Sequence, residues 1–235
     1  MGISYLNSLI LVRDKNLSYC VRLMRKEDIG QVSEVDREAF PTQWPPINYR
    51  RELQNRLAHY IVVSDEEGVF EEPEVKVSSE KGISRLVTRI RWLFNHDRFF
   101  SNGQPPAAGQ HLIGFVGFWI VAGEAHITSI AVRETHRRRG IGEWLLISAI
   151  DLATELNARI ITLEVRASNT AARGLYYKYG FVQTGLRRGY YTDNTEDAVL
   201  MSTENITSAS FQARLNQLKQ AYSRKWGIAL YQIVR

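Results

Sequence analysis

Apolar residues recur along the chain with two periods, near 2 and near 3.6, and the switches between them mark the elements. Tyr19–Leu23 alternates and reads as the first core strand. A helix is expected from about Asp28 to Ala39, with Ile29, Val32 and Val35 as its apolar stripe, and Phe40-Pro41 ends it. Beyond the stiff turn Trp44-Pro45-Pro46, a second helix from about Ile47 to Leu57 leads into a strand at Tyr60–Val63. The pattern resumes with a long strand, His111–Ala122, whose glycines mark a bulge or bend. The Gly123-Glu124 turn returns the chain as His126–Val132. From about Ile141 to Asn157, Leu145, Leu146, Ala149, Ile150, Ala153 and Leu156 share one helical face. A strand over Arg159–Arg166 follows, then a helix over Thr170–Tyr179, capped by Ser168-Asn169 and closed by Gly180. Strands at Phe181–Gly185 and Asp197–Met201 are joined through Arg187-Arg188-Gly189-Tyr190-Tyr191. A helix from about Ser210 to Arg224 reads as a basic appendage. The order β-α-α-β-(insertion)-β-β-α-β-α-β-β implies a mixed sheet carrying helices, of α/β or α+β class.

Two stretches depart from this rhythm. Residues 1–18 form an N-terminal extension with a short strand at Leu9–Val12, and residues 204–235 form a helical C-terminal extension. Between them, residues 19–203 make one domain, broken by an insertion at about 65–110. The insertion begins acidic and polar, DEEGVFEEPEVKVSSE, and ends in the linker-like SNGQPPAAGQ. Its middle, Ser84–Phe94, sets Leu86, Ile90, Leu93 and Phe94 at helical spacing beside Arg85, Arg89 and Arg91. Such a basic amphipathic segment either packs on its own domain or docks on a membrane surface, ribosomal RNA or a protein groove.

Composition narrows the classes. A net charge of +5 and a pI of about 9.3 favour anionic partners. The single cysteine, Cys20, excludes an intrachain disulfide framework and suggests a reducing compartment, so a cytoplasmic location is expected. The five histidines are scattered without metal-ligand spacing, and no metal site is expected. No apolar run approaches the roughly 20 residues of a membrane-spanning helix.

Candidate chemistry gathers after Ile130. The run IAVRETHRRRGIG carries an apolar strand end into a loop with Arg137, Arg138 and Arg139, and Gly140 and Gly142 open the next helix. Unpaired N–H groups and the positive end of the helix dipole suit a phosphate there, although a basic surface loop would look the same. In IITLEV, Ile161, Leu163 and Val165 point one way, and Ile160, Thr162 and Glu164 the other. A carboxylate in so apolar a strand is either a general base or half of a surface ion pair. Asn169 either caps the following helix or reaches a ligand. Tyr176, seven residues on, is close to two turns away, which puts it on the same face.

Arg137–Gly142, as R-x-x-G-x-G, resembles the acetyl-CoA signature of the GNAT superfamily of N-acetyltransferases. LEVRASNTAARGLYYKYGF (Leu163–Phe181), RRGYY (Arg187–Tyr191), EDAVLM (Glu196–Met201) and FPTQWP (Phe40–Pro45) resemble the RimI-type ribosomal-protein-alanine N-acetyltransferases. The resemblance covers about residues 19–64 and 111–203. It implies a GNAT fold in which acetyl-CoA enters a V-shaped splay between two parallel strands, with no metal. Ile130, Ala131 and Val132 match the strand whose backbone holds the pantetheine and polarises the thioester. Arg137, Arg138, Arg139, Gly140, Ile141, Gly142 and Glu143 match the pyrophosphate loop, and Asn169 and Tyr176 match cofactor contacts. Glu164 matches the catalytic base and Tyr176 the general acid. Phe40, Trp44, Tyr190 and Tyr191 fall on the substrate side.

The reaction so implied moves an acetyl group to a protein N-terminal α-amine, such as that of a ribosomal protein beginning with alanine. A lysine or small-amine acetyltransferase on the same fold is the alternative within enzymes, and a non-catalytic acyl-CoA-binding docking module the alternative outside them. The insertion and the C-terminal extension have no counterpart in the compact family pattern.

Overall fold

The computed structural model describes residues 10–14, 17–42, 45–66 and 110–226. Ser84–Phe94, Trp44 and most of the insertion lie outside them. The described strands are β1 (Ile10–Asp14), β2 (Leu17–Leu23), β3 (Ala58–Glu66), β4 (Gln110–Val121), β5 (Glu124–Val132), β6 (Ile160–Arg166), β7 (Phe181–Tyr191) and β8 (Glu196–Thr203). They form one eight-stranded sheet in the order β1-β2-β3-β4-β5-β6-β8-β7. Every pairing is antiparallel except β5 with β6. The helices are α1 (Ile29–Ala39), α2 (Tyr49–Glu52), α3 (Ile141–Glu155), α4 (Thr170–Lys178) and α5 (Ala209–Trp226).

The sheet separates two apolar layers. On one face α3, α4 and α5 bury Leu145, Ile150, Tyr176, Phe211 and Leu215 against Ile161 and Leu163 of β6. On the other, α1 and α2 bury Val32, Val35 and Tyr49 against Tyr60, Val62 and Phe115. The alternation expected for β6 holds: Ile161, Leu163 and Val165 are buried in the α3 layer.

One irregularity organises the site. Gly117 of β4 stands opposite Ser129, and its neighbour Phe118 opposite Ile127, so Thr128 is an extra residue in β5. Its hydroxyl donates to the Gly117 carbonyl at 3.2 Å. A bulge bends its strand and sharpens the local twist. Before it, Ala125 and Ile127 belong to the α3 layer; beyond it, Ala131 joins the α1 layer. The β5–β6 ladder runs from Glu124 and Ile160 to Ile127 and Leu163 and stops there. Past that point the parallel strands part, and Thr128–Val132 has no β6 partner. This is the splay that the resemblance implied.

Three elements differ from expectation. The second helix is a four-residue turn rather than Ile47–Leu57. Asn48 caps it, and Asn55 ends the segment by accepting the Leu57 N–H at 3.1 Å, an Asx-type bond that competes with helix. Tyr49, 1% exposed, anchors the turn against Tyr60 and Phe115 edge to face. Arg187–Tyr191 is not a connection but the end of β7, which reaches Tyr191 opposite Glu196. Finally, α5 is no appendage: Phe211, Leu215 and Tyr222 are each at most 3% exposed in the α3 layer.

Candidate active site

Glu164 follows directly on the last residue of β6 that pairs with β5. Its side chain is 13% exposed and lies between two cations or potential cations. His126 Nε2 is 3.0 Å from Oε2, and Arg187 Nη1 is 3.0 Å from Oε1. The contacts continue along the same face of the sheet. His126 Nδ1 is 2.9 Å from Thr162 Oγ1, which donates to Glu124 Oε1 at 2.6 Å. A hydroxyl has one proton to give. With that proton directed at Glu124, Thr162 Oγ1 accepts from His126 Nδ1–H. The row Glu124–Thr162–His126–Glu164 thus links the splay to the sheet's surface by hydrogen bonds.

His126 was the residue that spacing arguments missed. A metal-ligand test treats histidines by their mutual spacing, and His126 has no histidine partner. The available signal was the alternation of β5, which gives His126 the side opposite to Ala125 and Ile127. The β6 neighbour was legible only with the register His126 to Thr162 in hand.

A cavity of about 670 Å³ opens on this α1 side, lined by Pro46, Ile47, Glu52, Tyr60, Trp119 and Thr128 among others. Glu52 accepts hydrogen bonds from Tyr60 Oη at 3.1 Å and Trp119 Nε1 at 2.7 Å, which fixes both aromatic walls. Gly117 is obligatory behind them, because a Cβ there would lie 2.3 Å from Tyr60 Cε1. Two further segments meet at the end of the sheet where β5 and β6 part. Thr42 donates to Asp193 at 2.8 Å, and Arg166 holds Asp193 and Glu196 while its guanidinium lies 3.9 Å from the centre of the Tyr191 ring. Tyr190 is 45% exposed and meets Tyr191 edge to face at 5.2 Å. Phe40 is partly buried against the α1 layer, which leaves less of it for a ligand than its motif position suggested. Trp44 lies outside the described residues.

Tyr176 sits in the opposite layer, 4% exposed and 5.6 Å from Phe181. Burial first, and Tyr191 second, push its phenol above the ordinary range, so it remains an O–H donor at neutral pH. Asn169 does not share its burial: its carboxamide oxygen caps α4 by accepting the Ala172 N–H at 3.1 Å.

The arginine loop leaves β5 on the α3 side. Arg137, Arg138 and Arg139 are exposed, and Arg138 and Gly140 take positive φ, 64° and 82°. Gly140 is the N-cap of α3, so the first N–H groups of that helix open toward the loop. Ile141 is 2% exposed and contributes only backbone. Glu143 faces inward to Lys178 and to Tyr179 Oη, tying the start of α3 to the end of α4. An unpartnered strand edge at Thr128–Val132, a left-handed glycine without Cβ and a helix start beside three arginines together fit the pantetheine and phosphates of acetyl-CoA. Among the described residues no three His, Cys, Asp or Glu side chains gather as a metal site.

A family model, Acetyltransferase (GNAT) family, matches residues 69–181. A Bacillus subtilis protein named as a candidate ribosomal protein bS18-alanine N-acetyltransferase is 35% identical over 182 residues, covering 77% of this chain and 92% of its own. The chain belongs to the GNAT acetyltransferase family. Within it, the chain is close to the RimI-type branch, as its motifs suggested. An N-alpha-acetyltransferase of Sulfurisphaera tokodaii is 31% identical, with 80% of this chain and 94% of that one covered. The crystal structure of the Escherichia coli ribosomal-protein-S18-alanine N-acetyltransferase shares the fold, with TM-score 0.56 and 22% identity over 81% of this chain and 96% of that one. The GNAT chain described here is accordingly an N-acetyltransferase that uses acetyl-CoA. No described helix is long and apolar enough to cross a membrane.

Proposed function

We propose that this chain acetylates the N-terminal α-amine of a protein in the cytoplasm, with a ribosomal protein beginning with alanine as the acceptor. The ribosomal part rests on the names of its Bacillus subtilis and Escherichia coli relatives. The observation that supports the chemistry is the division of labour across the splay. Glu164, His126 and the cavity belong to the α1 side, while Tyr176 and the arginine loop belong to the α3 side.

In this reading an acceptor amine enters from the α1 side and acetyl-CoA from the α3 side. Acetyl-CoA, when bound, supplies the activated acyl group. An α-amine, with an ordinary pKa of about 7.7–8.0, is mostly protonated at neutral pH and needs a base. Glu164 takes that proton at Oε2, directly or through one water, and His126 passes it along the Thr162–Glu124 row. Arg187 holds the carboxylate in place. Main-chain N–H groups of Thr128–Val132, without a β6 partner, face the acyl oxygen as donors. Arg137–Glu143 grip the phosphates, and the Asn169 amide, its oxygen engaged in the cap, still has donors for the pantetheine. Tyr176 Oη–H gives its proton to the departing sulfur. No side-chain nucleophile is needed, and Cys20 is buried in β2.

Residues 19–203 act as the catalytic unit in this reading. The cavity, Phe40, Trp44, Tyr190 and Tyr191 receive the acceptor's first residues, and the Thr42–Asp193 hydrogen bond joins the segment after α1 to the β7–β8 turn. The insertion leaves from Glu66 and returns at Gln110, with Asp65 and His111 both near His136 at that end of the sheet. The arginines of Ser84–Phe94 suit an anionic surface such as ribosomal RNA or a membrane headgroup layer.

The test is a panel of acceptors with acetyl-CoA and purified protein, read by mass spectrometry of the modified site. Peptides with a free N-terminal alanine should be acetylated at the α-amine. Modification confined to lysine side chains or polyamines would overturn the assignment.

A further inference from the structure

The C-terminal helix ends at the arginine loop, although nothing in the family signature asks for it. α5 first crosses the end of α4: Phe211 packs where a Cβ on Gly180 would come within 3.3 Å, and Arg214 donates to the Lys178 carbonyl at 3.0 Å. It then runs along α3, where Lys219 pairs with Asp151. Its last turns reach Gly140. Tyr222 Oη donates to the Gly140 carbonyl at 3.3 Å, and a Cβ on Gly140 would lie 2.6 Å from Trp226 Cε2. Tyr222 is 1% exposed, and burial raises its phenol, so the hydroxyl stays a donor. Trp226 carries Lys225 over its ring at 4.9 Å, and its indole N–H is buried without an acceptor.

Gly140 joins the loop to α3 as its N-cap. It takes left-handed φ, and so does Arg138 two residues earlier, a conformation that costs a non-glycine residue energy unless its surroundings enforce it. Arg137 Nε donates to the Val132 carbonyl at 3.2 Å and ties the start of the loop to β5. At the other end the Gly140 carbonyl accepts from the Trp144 N–H at 3.0 Å, and α5 adds a second hydrogen bond on that carbonyl and an indole over the position a Cβ would fill. Arg224 and Lys225 add positive charge in the same last turn.

We propose that α5 is part of the acetyl-CoA site, and that Tyr222 and Trp226 are positioning residues that hold the phosphate-binding loop in its ligand-ready conformation. This rests on the reading of Arg137–Glu143 as the phosphate loop. Preorganisation of this kind strengthens binding by removing the cost of ordering the loop. Its effect falls on acetyl-CoA affinity. The acceptor side, beyond the sheet, is spared.

The experiment measures acetyl-CoA Kd by calorimetry, and kcat and both KM values in the steady state, for full-length variants. Trp226→Ala should raise the Kd and KM for acetyl-CoA about 10-fold, Tyr222→Phe about 3-fold, and Trp226→Phe less than Trp226→Ala. The kcat at saturating acetyl-CoA and the acceptor KM should stay within about twofold. Lys219→Ala, on the same helix but away from Gly140, is the stability control and should lower the melting temperature without moving the acetyl-CoA KM. An unchanged acetyl-CoA KM in Trp226→Ala, with Arg138→Glu raising it, would overturn the role of α5 alone. So would a Lys219→Ala variant that raises the acetyl-CoA KM as much as Trp226→Ala does. If Arg138→Glu and Gly140→Ala also leave acetyl-CoA binding unchanged, the loop assignment itself fails.

Discussion

Replacing Glu164 by glutamine removes the proposed base and little else. The amide keeps the size of the side chain and can still accept from Arg187, 3.0 Å away. It loses the carboxylate facing His126 at 3.0 Å. Arg187 is half exposed, so the lost ion pair should cost folding no more than about 1 kcal/mol. For a chain of this length, that shifts the melting temperature by roughly 2–4 °C. The catalytic loss is of another order. A positioned general base contributes about 10²–10⁴ in rate, which corresponds to about 3–5 kcal/mol of barrier. Because Glu164 points to the α1 side and the arginine loop lies on the α3 side, acetyl-CoA affinity should not move. The assay is kcat/KM with an Ala-first peptide, beside calorimetric acetyl-CoA binding and a thermal melt. The expected result is a fall in kcat/KM of two to four decades (~10²–10⁴), an unchanged acetyl-CoA Kd and a small thermal shift. Activity within about threefold of the parent would refute the assignment of Glu164 as base. His126→Gln separates the relay from the base: its loss of kcat/KM should be smaller than that of Glu164→Gln.

Tyr176→Phe should lower kcat by roughly 10²-fold or more while the melting temperature holds, since the ring stays packed on Phe181; unaltered kcat would remove Tyr176 from the proton path. Gly117→Ala forces Tyr60 from the cavity wall, an overpacking cost of about 1–3 kcal/mol, and should raise the acceptor KM more than the acetyl-CoA KM. At the β7–β8 turn, Ser168, through its side chain and then its main-chain N–H, with Asn194 and Arg166 adding, pulls the Glu196 carboxyl down to about 2. A carboxyl depressed by folding stabilises above its unfolded value, and that stability fades as pH falls from about 4.5 toward 2. Glu196→Gln should therefore flatten the melting temperature against pH across that window, and an unchanged slope would count against the pairing.

Much of the site was readable before any tertiary contact was known, and the reasons are local. Alternation in IITLEV fixed which side of its strand Glu164 takes, because successive side chains of an extended chain must diverge. Gly140 before an apolar helical repeat fixed the helix start at Ile141, and the arginines preceding it fixed the sign of its partner. The joint run from Leu163 to Phe181, with RRGYY after it, was specific enough to carry the family. Element order followed as well, since periodicity and glycine turns are properties of a few neighbouring residues.

What the tertiary structure decided involves residues far apart in the chain. The splay required a bulge at Thr128, and a bulge is defined by register against β4, which no single strand's pattern contains. His126 gained meaning only from a parallel partner 36 residues away in β6. The helix expected at Ile47–Leu57 lost to side-chain caps at Asn48 and Asn55 and to the burial of Tyr49 between two aromatic rings. The C-terminal helix looked like a solvated appendage because its buried residues are few and its charges many. Its docking on α3 and α4, and its arrival at Gly140, depend on the apolar surface that those helices present together, far from it in the chain. Sequence thus specified the chemistry of each side chain and the local geometry that presents it. Which side chains meet was set by long-range packing, where burial of apolar area outweighs local preference.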